Sequence, residues 1–201
     1  MTVYVTHTFD ATVCIQEANA GNIVVVKNFM DVDSCYAAIK DATAIELDNL
    51  ISPVWEVPNF KSVWPDNCKF DYYRLSDPAS TNSNALTHIY EKMKQCMISL
   101  HGPVTDKPKY HLELLHYYNT CYFGRHTHEI DPQFFGLILQ LNKLGTDYES
   151  GGTIFYTNDA VVDINLYADQ GDMIMFKYDL DHEVTTVTGI NGRWSAVLPY
   201  Y

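Results

Sequence analysis

The chain has 201 residues, 25 acidic against 13 basic side chains and a formal net charge of −12 at pH 7. That length encloses a real core, while the acidity repels phosphate backbones and anionic bilayers, so neither nucleic acid nor membrane is an expected partner. Five scattered cysteines without a CxxC pair argue against a disulfide framework or zinc ribbon. The start, "MTVYVTHTFDATVCI", lacks the basic and apolar regions of a signal peptide, and no apolar run approaches the roughly 20 residues of a membrane span. A reduced, cytoplasmic protein with a single domain over 1–201 is expected.

In chain order, "GNIVVVKNFM" reads as a buried strand. After it, Asp31 or Asp33 caps a predicted short helix whose Val32, Cys35, Tyr36 and Ile39 share a face. Residues 53–83, rich in Pro, Asn and Asp, read as a long surface loop, with Trp55, Trp64, Tyr72, Tyr73 and Arg74 available to cover a site. The strongest helix is "NALTHIYEKMKQCMISLHG", where Leu86, Ile89, Tyr90, Met93, Met97 and Leu100 recur at helical spacing and Gly102 ends it. From residue 109 the period changes to short β-rich runs: "KYHLELLHYYNTCYF", "FGLILQLNKL", "GGTIFYT", "AVVDINLY", "GDMIMFKYD", "HEVTTVTG" and "RWSAVLPYY". The pattern predicts a mainly β fold with supporting helices, a double-sheet jelly roll whose mouth is a natural ligand site.

One stretch, "FGRHTHEIDPQF", concentrates potential metal ligands: His126, His128, Glu129 and Asp131. Residues two apart on a strand share a face, so both imidazoles can reach one ion, and imidazole suits iron, zinc, copper and nickel. His7, His88, His101, His111 and His116 lack such neighbours and read as ordinary packed or solvated residues. His182 follows the buried run "DMIMF", and Arg193 and Ser195 stand at alternate positions downstream. An arginine facing a barrel interior is costly without an anion, and its planar fork fits a carboxylate.

Taken together, His182, Val184, Val187, Arg193 and Ser195, with the "LILQLNKLGTDYESGGTIFY" hairpin before them, resemble the Fe(II)- and 2-oxoglutarate-dependent oxygenases over most of the chain. The resemblance implies a double-stranded β-helix (jelly-roll, cupin-like) core. It implies His126 and His182 as Fe(II) ligands, Arg193 and Ser195 as the clamp on the distal carboxylate of 2-oxoglutarate, and Tyr118, with Tyr117 as the near alternative, as a further co-substrate contact. It implies use of O2 with release of succinate and CO2, and hydrogen abstraction from the substrate by an iron-oxo species. The expected substrate is a small molecule such as an amino acid or metabolite; a peptidyl, prolyl-type hydroxylase is the alternative.

The opening motif departs from the family's HxD or HxE pattern, because His128 stands where the acid is expected. Three readings stay open: a three-histidine site of His126, His128 and His182; a bulge that brings Glu129 or Asp131 to the metal; or two histidines with an exogenous ligand. A cupin-like three-histidine dioxygenase without 2-oxoglutarate explains the histidines but not Arg193 and Ser195. A metal-free binding module is the remaining reading.

Overall fold

Alternation of buried side chains organises two facing sheets. They are seen in a computed structural model that describes residues 2–48, 67–75, 82–101, 111–128, 134–157 and 160–198. The strands are β1 (Val3–Thr6), β2 (Ile23–Val26), β3 (Cys68–Lys69), β4 (Asp71–Leu75), β5 (Leu112–Tyr117), β6 (Tyr122–His126), β7 (Phe135–Gln140), β8 (Thr153–Tyr156), β9 (Val161–Asp163), β10 (Met173–Lys177), β11 (Asp181–Val184) and β12 (Arg193–Leu198). A seven-stranded sheet runs β1-β2-β10-β7-β12-β5-β4, and a five-stranded sheet runs β3-β6-β11-β8-β9. Apart from the parallel β1–β2 pair, the pairings are antiparallel.

The helices are α1 (Ala11–Asn19), α2 (Val32–Asp48) and α3 (Asn84–His101). They cover the outer face of the larger sheet. Leu86, Ile89, Met93, Met97 and Leu100 of α3 share one core with Trp194, Ala196 and Leu198 of β12 and Leu137 and Leu139 of β7. Each Leu, Ile or Met among them contributes roughly 1.5–3 kcal/mol on burial. Because strand residues alternate faces, Arg193 and Ser195 of β12 point the other way, between the sheets. The inter-sheet space is closed by Ile138, Phe155, Ile174 and Phe176 in one cluster and by Phe70, Tyr117, Phe123, Tyr148 and Val184 in another.

The structure extends and corrects the sequence expectations in several places. Helix α1 and strand β1 arise in a stretch with no clear period; Asp10 caps α1 by accepting from the backbone of Thr12 and Val13. Helix α2 runs 17 residues, and Asp31 does cap it, accepting from Ser34 N at 2.8 Å. Its buried face is Cys35, Ala38 and Ala42, whereas Val32 and Tyr36 are exposed: the small residues, not the large ones, are buried where the helix packs against α3. Within the expected 53–83 loop, residues 67–75 form β3 and β4, which pair with β6 and β5. Trp55 and Trp64 lie outside the described residues, as does Gly102. No helix among the described residues is long and apolar enough to cross a membrane.

Candidate metal and carboxylate site

The first half of the site depends on an irregularity in β6. His182 stands opposite His126, and Val184 opposite Phe123. Between these registers β11 advances two residues and β6 three, so Gly124 and Arg125 together face Glu183 as a β-bulge. The bulge puts Phe123 and His126 on one face despite their odd spacing, and their rings stack with centroids 3.7 Å apart. Glycine at 124 also permits a close approach: an added Cβ would sit 1.8 Å from the Asn67 side chain. This bulge lies before the histidines. Glu129 and Asp131 lie outside the described residues.

His126, His128 and His182 come together, with ligand atoms all within 4.8 Å of one another. Ring centroids are 4.3 Å apart for His126–His182, 5.2 Å for His126–His128 and 5.1 Å for His128–His182. His126 is 7% exposed and His182 4%. Nδ1 of His126 lies 2.7 Å from the Gly124 carbonyl, and Nδ1 of His182 lies 2.8 Å from that of Leu180. A carbonyl only accepts, so each Nδ1 carries the proton and each Nε2 keeps its lone pair for a cation. Beyond the end of β6, His128 is fixed by its backbone N–H, which donates to the Tyr178 carbonyl at 3.1 Å.

Burial pushes all three imidazoles down to about 3. A neighbouring imidazole's charge adds to the effect in each case, while the carbonyls of Gly124 and Leu180 oppose it for His126 and His182. The three rings are therefore neutral at neutral pH, the form that ligates metal without first losing a proton. Three neutral, converging imidazoles, two buried and one half-buried, suit a transition-metal ion such as iron, zinc, copper or nickel.

The second half of the site is a buried cation. Arg193 is 1% exposed. Its Nη2 donates to Gln140 Oε1 at 3.0 Å and Thr153 Oγ1 at 3.1 Å. The Tyr148 hydroxyl is a further hydrogen-bond partner, and the Tyr117 ring lies 5.5 Å from the guanidinium carbon. Its Nε has no partner, and no carboxylate pairs with it among the described residues. Leaving a guanidinium buried without a counter-charge costs several kcal/mol, which an anionic ligand would offset. Ser195, on the same face and equally buried, stands opposite Gln140. Thr153 links the two halves, since it lies two residues from Phe155, which pairs with His182.

Of Tyr117 and Tyr118, it is Tyr117 that faces this interior. It pairs with Arg193 across β5–β12 and is 1% exposed, whereas Tyr118 is 38% exposed and lies under the Lys69 ammonium. Burial raises the Tyr117 phenol, with Arg193 opposing. Gln140, Tyr148 and Thr153 had no signal in the sequence beyond lying in the expected hairpin. Their roles follow from Arg193's position, which pattern alone does not supply.

No protein-family model matches the sequence, and no curated protein matches it. Solved structures do match in fold. A prolyl-4-hydroxylase of Pseudomonas putida is 14% identical, with 96% of this chain and 100% of that chain covered and a TM-score of 0.71. A prolyl hydroxylase of Trichoplax adhaerens, in complex with a hypoxia inducible factor peptide fragment, is 14% identical over 95% of this chain and 88% of that chain, with a TM-score of 0.74. The non-heme alpha-ketoglutarate dependent epimerase of nogalamycin biosynthesis is 13% identical over 94% and 82%, with a TM-score of 0.63. The chain thus has the double-stranded β-helix fold that these Fe(II)- and 2-oxoglutarate-dependent oxygenases share.

Proposed function

We propose that this chain is an Fe(II)- and 2-oxoglutarate-dependent oxygenase acting on a small molecule such as an amino acid or metabolite. The observation that carries the reading is Arg193: a buried guanidinium without a carboxylate partner, in the same inter-sheet space as three converging imidazoles. His126, His128 and His182 would hold Fe(II), which supplies the oxygen chemistry once bound. Arg193 would bind the distal carboxylate of 2-oxoglutarate, with Ser195 and Thr153 as hydroxyl partners and the Tyr117 ring beside the guanidinium. The aromatic walls of Phe123, Phe155 and Phe176 keep water from the interior.

The overall reaction is that 2-oxoglutarate, O2 and a substrate C–H give succinate, CO2 and the hydroxylated product. The test is succinate release from 2-oxoglutarate by the Fe(II)-loaded protein in air, with free amino acids and proline-containing peptides supplied in parallel. Stimulation by a free metabolite supports the small-molecule assignment, and stimulation by peptide alone supports the peptidyl alternative. Absence of succinate with every substrate would reject the reading.

A second reading is favoured by one feature, the third imidazole where the family pattern has an acid. A cupin-like three-histidine dioxygenase would use the histidines without 2-oxoglutarate. It gives Arg193 no ligand, and we rank it second for that reason.

A further inference from the structure

A charged side chain of the interior, Glu113, plays no part in the site described above. On β5, Leu112 and Leu114 belong to the core beneath the helices, so by alternation Glu113, Leu115 and Tyr117 face the space between the sheets. Glu113 is 5% exposed. It stands opposite Val197 of β12, which in turn stands opposite Ile138 of β7, a row across the inner face of the larger sheet. On its other side the register partner is Arg74 of β4, so the sheet sets a basic residue beside the acid before any ligand arrives.

Two features set this position apart from a buried acid that only ties strands together. First, its inner-face neighbours Leu115 and Val197 are half-buried, so solvent, and hence a ligand, reaches the apolar floor beside Glu113. Val197 packs against the cluster of Phe155 and Phe176, whose rings lie 5.6 and 4.9 Å from that of His182. This floor therefore adjoins the metal ligands. Second, Tyr117 pairs with Arg193, Leu115 with Ser195 and Glu113 with Val197, which places the acid about 13 Å along β5 from the position opposite the guanidinium. The interior thus carries a cation at one end and an anion at the other. A dicarboxylate drawn to Arg193 is repelled by Glu113, and low-dielectric surroundings strengthen both effects.

Resting on the function proposed above, we propose that Glu113 is a specificity-determining residue that selects a small substrate carrying an ammonium group on an apolar chain. The ammonium donates to the Glu113 carboxylate, and the chain lies over Leu115 and Val197, on the side of the floor that adjoins His182. A neutral substrate gives the buried carboxylate no counter-charge, and an anionic one is repelled by it. The net charge of −12 acts in the same direction, since it raises the local concentration of cations.

The test follows amide NMR shifts of the isotope-labelled full chain, without added metal, on titration with n-pentylamine and with n-pentanol at neutral pH. The amine is protonated there, so the two probes share a chain and differ in charge. The amine should move the amides of Leu115, Val197 and Ile138 saturably, with affinity about tenfold or more above that of the alcohol, the difference expected for a charge-assisted contact. Glu113→Gln should remove that preference, and Glu113→Asp, which keeps the charge, should retain about threefold of it. Equal binding of amine and alcohol by the parent, a comparison that needs no variant to fold, overturns the proposal. A folded Glu113→Gln that keeps the preference overturns it as well, even if less stable, because a purely structural acid changes stability without changing selectivity. No saturable shift with the amine by about 10 mM, at which affinity is too weak for a built site, would overturn it equally. Failure of the Fe(II)-loaded parent to bind 2-oxoglutarate would instead reject the function proposed above, and the metal-free comparison would still decide whether Glu113 selects the ammonium.

Discussion

His126 and His182 face each other across the β6–β11 pair, and each turns Nδ1 onto the carbonyl two residues back in the chain, Gly124 and Leu180. The same local device on two antiparallel strands fixes both tautomers and directs both Nε2 lone pairs into the space that His128 also enters. Ring orientation is thereby set by the backbone before any ion arrives.

It follows that His126→Ala and His182→Ala should each lower affinity for a divalent transition metal by about 100-fold or more, beyond the 10–100-fold typical of losing an outer hydrogen-bond partner. Calorimetric titration of Mn(II) or Zn(II) into the purified chain measures this. The exposed His88, away from the cluster, supplies the control: His88→Ala should bind metal as the parent does.

Arg193 makes an opposite pair of effects expected. With no anion present, Arg193→Met removes a buried, uncompensated charge and keeps most of the volume, so the ligand-free variant should be as stable as the parent or more so. Added 2-oxoglutarate at about 100 times its Kd should stabilise the metal-loaded parent by roughly 2.7 kcal/mol and leave Arg193→Met unmoved. Thermal unfolding with and without the co-substrate reads both.

The three imidazoles also set an acid limit on the metal-free protein. Burial holds them at about 3, below the ordinary 6.5, so the unfolded chain binds protons that the folded chain refuses. Their contribution to stability is complete above about pH 6.5 and is lost as the pH falls from there toward 3, at about 1.4 kcal/mol per pH unit for each proton taken up on unfolding. The urea midpoint should decline between pH 7 and pH 5, before carboxylates titrate; a constant midpoint over that interval would count against neutral, buried rings.

The hairpin that carries Thr153 tolerates little at its turn. Gly151 has φ +98°, and a Cβ there would meet the Val187 Cα at 2.7 Å. Gly151→Ala should cost more than about 1 kcal/mol, since an L side chain is strained at positive φ and the obstruction is backbone. Urea denaturation of the variant checks it.

How much of this was legible in the sequence varied with the kind of signal. Strands β7, β8, β10 and β12 announced themselves because buried β-branched and aromatic runs are bounded by turn residues. The α3 face was legible because its apolar spacing is regular, and the α2 face was not, because alanines at 38 and 42 carry no hydropathic contrast. Strands β3 and β4 were hidden because the short run "CKFDYYRL" sits among Pro, Asn and Asp residues, and pairing partners rather than local pattern decide short strands. In the site, His126, His128 and His182 converge, His182 as the resemblance implied and His128 from just beyond the strand on which the HxH spacing had placed it, but the bulge at Gly124 and Arg125 depends on register with β11, which one strand's sequence does not encode. Tyr117 and Tyr118 differ by one residue and therefore by strand face; only the pairing with Arg193 decides which looks inward.

The proposed function requires the imidazoles and Arg193 to form one site for a metal and a dicarboxylate. Its most direct test is calorimetric titration of 2-oxoglutarate, in the absence of O2, into the parent chain with Fe(II), the parent without metal, and His126→Ala and Arg193→Met with Fe(II). One equivalent should bind to the Fe(II)-loaded parent, with at least a tenfold loss of affinity in each of the other three. Equal binding with and without metal, or binding that survives Arg193→Met, would contradict it.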